Sequence, residues 1–276
     1  MRPRVLQHDV RGEGDPLVFV PGGLTGWVSW IPHAERLSAT RRTIRVQPIH
    51  NELGSAGQPG DPSYTAETER ESLRLTLEEL DIDAADFAGW SGRGRALIEF
   101  ALAHPARVRT LTLVEPAAYW VLEQLGEAGG EVERLNEFMH GLAGREVSEA
   151  DLSEFVELAG FVTSAAEARA HPNWERWLPH RMALSWSFEA LDHPDRAVED
   201  LATLDSPVLL VKGTATAEVA TTCGRRSRRA ASECDCRRAA RRSCLPHPEH
   251  RRLHRSARAP PEPPPPSVHS VKLARS

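Results

Sequence analysis

One stretch, Asp86-Phe87-Ala88-Gly89-Trp90-Ser91-Gly92-Arg93-Gly94, constrains this chain more than any other. A short apolar run leads into a glycine, a serine and two further glycines, and a helical pattern follows over 95–103. A serine so placed stands at a sharp strand-to-helix turn, at the carboxyl end of a strand, where open α/β sheets hold their ligands. The flanking sequence alternates in kind. Residues 5–11 read as an edge strand, and 17–20 (Leu-Val-Phe-Val) as a strand buried on both faces. Further strands are expected at 43–47 and 107–114, with helices at 30–37 and 66–80 between them. The second helix sets Leu73, Leu75, Leu77 and Leu80 among charges. Residues 51–64, rich in Gly and Pro, read as loop. This order implies right-handed crossovers and a mostly parallel sheet flanked by helices, an α/β fold.

Residues 117–204 show no strand pattern. They are helical by spacing and carry Trp120, Trp174, Trp177 and Trp186; His171 and His180 stand among them without metal-ligand spacing. One more strand is expected over 207–213. With 276 residues, 40% hydrophobic and 26% charged, the chain can bury one large core. It has no apolar run of about 18 residues and no apolar leader, so a cytoplasmic location and no membrane span are expected. The charge is split. From Glu218 onward there are 14 Lys+Arg against 5 Asp+Glu, net +9, whereas the preceding residues carry 20 against 34, net −14. All four cysteines lie in the basic part, and Cys234-Asp235-Cys236 lacks zinc spacing, so no metal is expected.

From about Leu17 to Gly213 the chain resembles the α/β-hydrolases. Gly89-Trp90-Ser91 stands where that family has the first half of its G-x-S-x-G nucleophile elbow, and Pro21-Gly22-Gly23 where it has the loop that gives one oxyanion-hole N–H. The resemblance implies an α/β-hydrolase core over 1–117, a helical cap over 118–204 and a returning core strand over 205–217. It implies Ser91 as the nucleophile and the N–H groups of Gly23 and Gly92 as the oxyanion hole. Glu115, at the end of the strand beside the elbow strand, is the candidate acid. The substrate class is a small ester, lactone, amide or activated carbon–carbon bond, with no cofactor. Bland readings stand beside each: a serine capping a helix, a glycine-rich turn, a Glu-Pro strand end.

The chain departs from the family in three places. Arg93 stands two after the serine, where a small residue is expected, so its stem should point outward or the backbone should deform. Thr216 takes the usual place of the acid and cannot carry charge. Beyond Ala217, Arg225-Arg226-Ser227-Arg228-Arg229 and a proline-rich run over 259–266 supply neither a last strand nor a histidine loop, and a disordered basic tail is expected over 218–276. A frame-shifted reading of a GC-rich gene is the hypothesis for this composition, to be tested on the coding DNA. Ser243–His250 can be coded so that the frame one base later reads His-Ala-Ser-His-Ile-Gln-Ser, similar to the family's histidine loop. The expected function is therefore hydrolysis through a serine, impaired by a missing base. His247, His250 and His254 could replace that base only by folding back. The alternatives are a non-catalytic small-molecule-binding protein and a basic-tailed interaction protein. Nucleic acid is an unlikely partner for such a tail, which has no interleaved aromatics; the oligomeric state is left open.

Overall fold

The structure is a computed structural model and describes residues 1–187 and 197–212. Among these residues six strands form one sheet in the order β1-β3-β2-β4-β5-β6: β1 Gln7–Arg11, β2 Pro16–Val20, β3 Arg42–Gln47, β4 Ala85–Trp90, β5 Val108–Val114 and β6 Val208–Val211. Only β1 runs antiparallel, against β3; the other pairs are parallel. The mostly parallel sheet and the edge position of the first strand match the sequence expectation.

The sheet is organised by one apolar row. Ile44, Val18, Phe87 and Leu111 lie in register on β3, β2, β4 and β5, and each is at most 1% exposed. They pack with Leu77, Leu97, Ile98 and Phe100. Each such side chain contributes roughly 1.5–3 kcal/mol by leaving water. One residue further along, Phe19 and Ala88 face the opposite side and meet Trp30 and Ala34. This alternation is the period-2 geometry of a strand covered on both faces.

The helices that cover the sheet are α1 Ile31–Leu37, α2 Ile49–Ser55, α3 Ala66–Glu79 and α4 Gly92–Ala103. The Thr65 side chain accepts from the Thr68 N–H and starts α3. Helix α2 corrects the loop expected over 51–64. Pro48, with φ −55°, stands at its N-cap, and Ile49, 1% exposed, anchors it in the core. That burial outweighs the local glycine and proline content. Helix α4 begins directly after Ser91, three residues earlier than its periodicity predicts.

Between β5 and β6 the described chain is helical: α5 Tyr119–Gln124, α6 Gly130–Leu142, α7 Glu149–Leu158, α8 Trp174–Trp177 and α9 Leu184–Ser187, with short 3-10 turns. Leu135, Met139, Leu152, Trp174, Trp177 and Met182 form a second core, and Leu24, from the loop after β2, packs into it. His171 stacks on Trp177 at 4.5 Å, and His180 Nδ1 lies 2.6 Å from the Ser55 hydroxyl of α2. No helix among the described residues is long and apolar enough to cross a membrane. The basic tail, Gly213, Thr216 and the late histidines lie outside the described residues.

Candidate active site

The site is built where β2, β4 and β5 end. Ser91 follows β4 with φ 57° and ψ −132°. Its N–H donates to the Val114 carbonyl (2.9 Å), and its own carbonyl accepts from Gly94 and Ala117. The backbone bend is thus clamped on both sides. The hydroxyl makes no capping bond to α4, so the helix-cap reading does not describe it. Three non-glycine residues have positive φ among the described residues: Asp81, Ser91 and Glu115. Two of them end adjacent strands. Left-handed backbone at a residue with a Cβ costs of order 1–3 kcal/mol and is held only where the surroundings enforce it, commonly at functional sites.

The bend is tight enough to dictate its glycines. A Cβ on Gly89 would lie 2.6 Å from Leu97 Cδ1 and 3.0 Å from the Arg93 carbonyl oxygen; one on Gly94 would lie 2.9 Å from Pro116 Cβ. The demand for a small residue after Ser91 therefore falls on Gly94, not on position 93. Arg93 is free to carry a side chain, but not in the direction expected. It is 1% exposed and turns inward. Its Nη2 lies 2.9 Å from the ring nitrogens of His50, and its Nη1 lies 3.4 Å from the Glu69 carboxylate. The Tyr64 hydroxyl donates to the same carboxylate. Partners for the guanidinium inside the protein are what allow the inward path. Burial, and then the neighbouring Arg93 charge, hold His50 well below its ordinary pKa. Burial pushes Glu69 up, opposed by Arg93. The sequence gives no sign of this cluster, because its members are spread over α2, its following loop, α3 and α4.

The other candidate residues gather around Ser91. The position a Cβ would take on Gly22 lies 3.6 Å from Ser91 Cβ, so the loop after β2 runs beside the serine. Gly23 is the next residue of that loop, and Gly92 is the first of α4. Glu115 directly follows β5, the strand whose last residue holds the Ser91 N–H, and its own N–H donates to the Val211 carbonyl of β6 (2.9 Å). Asn51, which sequence reasoning passed over as loop, is fully buried; its Nδ2 donates to the carbonyls of Gly23 (2.6 Å) and Gly22 (3.4 Å). Among the described residues no group of three or more His, Cys, Asp or Glu side chains could hold a metal ion.

No family model matches the chain. It is 28% identical over 204 residues to a 2-hydroxymuconate semialdehyde hydrolase of Pseudomonas sp. strain CF600, covering 69% of this chain and 70% of that one. It is 34% identical over 110 residues to a 2-hydroxy-6-oxo-2,4-heptadienoate hydrolase of Pseudomonas putida, a match that spans 39% of either chain. An α/β-hydrolase structure from Sphaerobacter thermophilus superposes with a TM-score of 0.59 at 16% identity, over 82% of this chain and 84% of that one. The sheet order, the serine on a strained strand-to-helix bend and these likenesses converge: the chain has the α/β-hydrolase fold and is similar in sequence to hydrolases.

Proposed function

We propose that this protein hydrolyses a small carbonyl compound through Ser91. The observation that carries the reading is the backbone of Ser91, held at φ 57° with its hydroxyl left out of the helix cap. Such a bend lifts the oxygen clear of the helix it precedes. In this reading Ser91 Oγ attacks the carbonyl carbon, and the N–H groups of Gly23 and Gly92 receive the negative charge that develops on its oxygen. Glu115 is the acid that would orient a base, and the described helices between β5 and β6 cover the serine, exclude water and shape an apolar pocket. Two hydrolases similar to this chain are named for a semialdehyde and an oxo-dienoate. That favours an ester-like or activated carbon–carbon bond next to a carbonyl over a phosphate or glycoside.

The base is the weak member. Among the described residues no histidine is bonded to Ser91; His50 is held by Arg93 and His180 by Ser55. Because the sequence after Ala217 offers no recognisable histidine loop, the chain is proposed to work at the residual rate left by an oxyanion hole without a complete triad, on the order of 10³–10⁴ above water. A fluorophosphonate probe and p-nitrophenyl acetate test the reading. Labelling and turnover that vanish in Ser91→Ala support it; labelling and turnover unchanged in Ser91→Ala sink it. A ligand that binds without any Ser91-dependent turnover would move the protein to a non-catalytic binding role on the same fold.

A further inference from the structure

We propose that Asn51 is the positioning residue of the oxyanion hole, setting the direction of the N–H groups offered by the loop after β2. The inference rests on the reading that Ser91 is the nucleophile. Its own basis is the geometry of one amide. Asn51 is 0% exposed, and its Nδ2 meets two successive carbonyls, those of Gly22 and Gly23. A trans peptide holds its C=O and N–H on opposite sides. Fixing both carbonyls toward Asn51 therefore turns the N–H groups of Gly23 and Leu24 away from it. Gly22, the first of these residues, lies against Ser91.

Three further observations give Asn51 this task rather than a packing one. Among the described residues its buried Oδ1 has no hydrogen-bond partner. An unsatisfied buried acceptor costs about 1–3 kcal/mol, so a residue placed only for stability would not be this one. The amide cannot be turned over to relieve it, because Oδ1 would then face two carbonyl oxygens. The loop is also anchored a second time from the same stretch: Gln47, the last residue of β3, accepts from the Trp27 N–H at 2.8 Å through its Oε1. Between Gln47 and Asn51 the β3–α2 junction holds both ends of the loop. This also gives a function to the short helix α2, whose N-terminal turn presents Asn51.

The test compares the 276-residue chain with Asn51→Asp, which keeps the shape but not the donor, and Asn51→Ser, which shortens it. Three quantities are measured: kcat and KM for p-nitrophenyl acetate, the fraction of sites titrated by the fluorophosphonate, and amide hydrogen exchange of residues 22–24. Both variants are expected to lose about 100-fold in kcat, the size of a misplaced catalytic group. KM should stay within about twofold and the titrated fraction should not change, while exchange at 22–24 quickens. A kcat within twofold of wild type with unchanged exchange overturns the proposal. So does a loss of kcat matched by an equal loss of titrated sites, which marks a merely structural residue. Should the wild type show no Ser91-dependent turnover, the functional reading fails, and the exchange measurement still decides whether Asn51 orients the loop.

Discussion

Ser91 has φ 57° although it carries a Cβ, and its carbonyl and N–H are both clamped. Replacement by glycine should release that strain, whereas replacement by alanine should keep it. Glycine ordinarily costs about 0.5–1 kcal/mol against alanine. At this position the order should reverse, with Ser91→Gly more stable than Ser91→Ala by about 1 kcal/mol in urea unfolding. An alanine variant that is the more stable of the two would show that the bend carries no strain. Glu115, with φ 45° just before Pro116, sits in the same kind of backbone at the next strand end. If it orients a base, Glu115→Gln should lower kcat and leave the labelling stoichiometry intact; equal kcat would leave it a strand-end residue only.

At the scale of elements, the cluster joining α2, α3 and α4 is the least expected feature. Arg93, His50, Glu69 and Tyr64 are each at most 7% exposed. Arg93→Leu would strand the Glu69 carboxylate in the interior, and removal of one partner of a buried pair costs about 3–5 kcal/mol. Adding Glu69→Leu should recover a large part of that loss, which a double-mutant cycle by urea unfolding measures. A single mutant as stable as wild type would show that the pair contributes nothing. His50 gives the same cluster a pH signature. It stays neutral in the fold because its pKa is held well below the ordinary value. The unfolded chain takes up that proton near pH 6.5. Stability contributed by neutral His50 is therefore complete above about pH 6.5 and falls, by up to about 1.4 kcal/mol per pH unit, as pH drops through it. His33, His104 and His180, also lowered by burial, act in the same direction. Glu69, pushed up, acts in the opposite one from the carboxylate range upward. The difference between wild type and His50→Gln isolates the one residue: the variant should lose less stability between pH 7 and 5. Parallel profiles would place the His50 proton equilibrium outside the stability balance.

For the molecule as a whole, the sheet is uneven at its two sides. β1 closes one edge with four polar residues out of five, Gln7, His8, Asp9 and Arg11, while β6, the edge on the other side among the described residues, leaves Val208, Leu209 and Val211 43%, 59% and 38% exposed. An apolar edge strand invites pairing with other chains. Leu209→Lys is expected to raise soluble yield without lowering the melting temperature, since Leu209 has little burial to lose; unchanged yield would show that the edge is covered in solution.

The sequence alone determined the sheet, because its strands are local apolar runs and their helical spacers permit few connections. Leu17–Val20, Thr43–Gln47 and Asp86–Trp90 could be read as strands without knowing their neighbours, and Gly89-Trp90-Ser91 marked the bend. Tertiary structure decided the rest. Asn51 and His50 lie on a short helix that the glycines and prolines of the 51–64 stretch argue against, and the burial of Ile49 anchors it in the core. Arg93 appears misplaced in one dimension, because the groups that accept it lie 24 to 43 positions earlier in the chain. Local pattern reports the periodicity of burial; which polar groups meet inside is fixed by packing between segments far apart, and one chain's spacing carries no record of that.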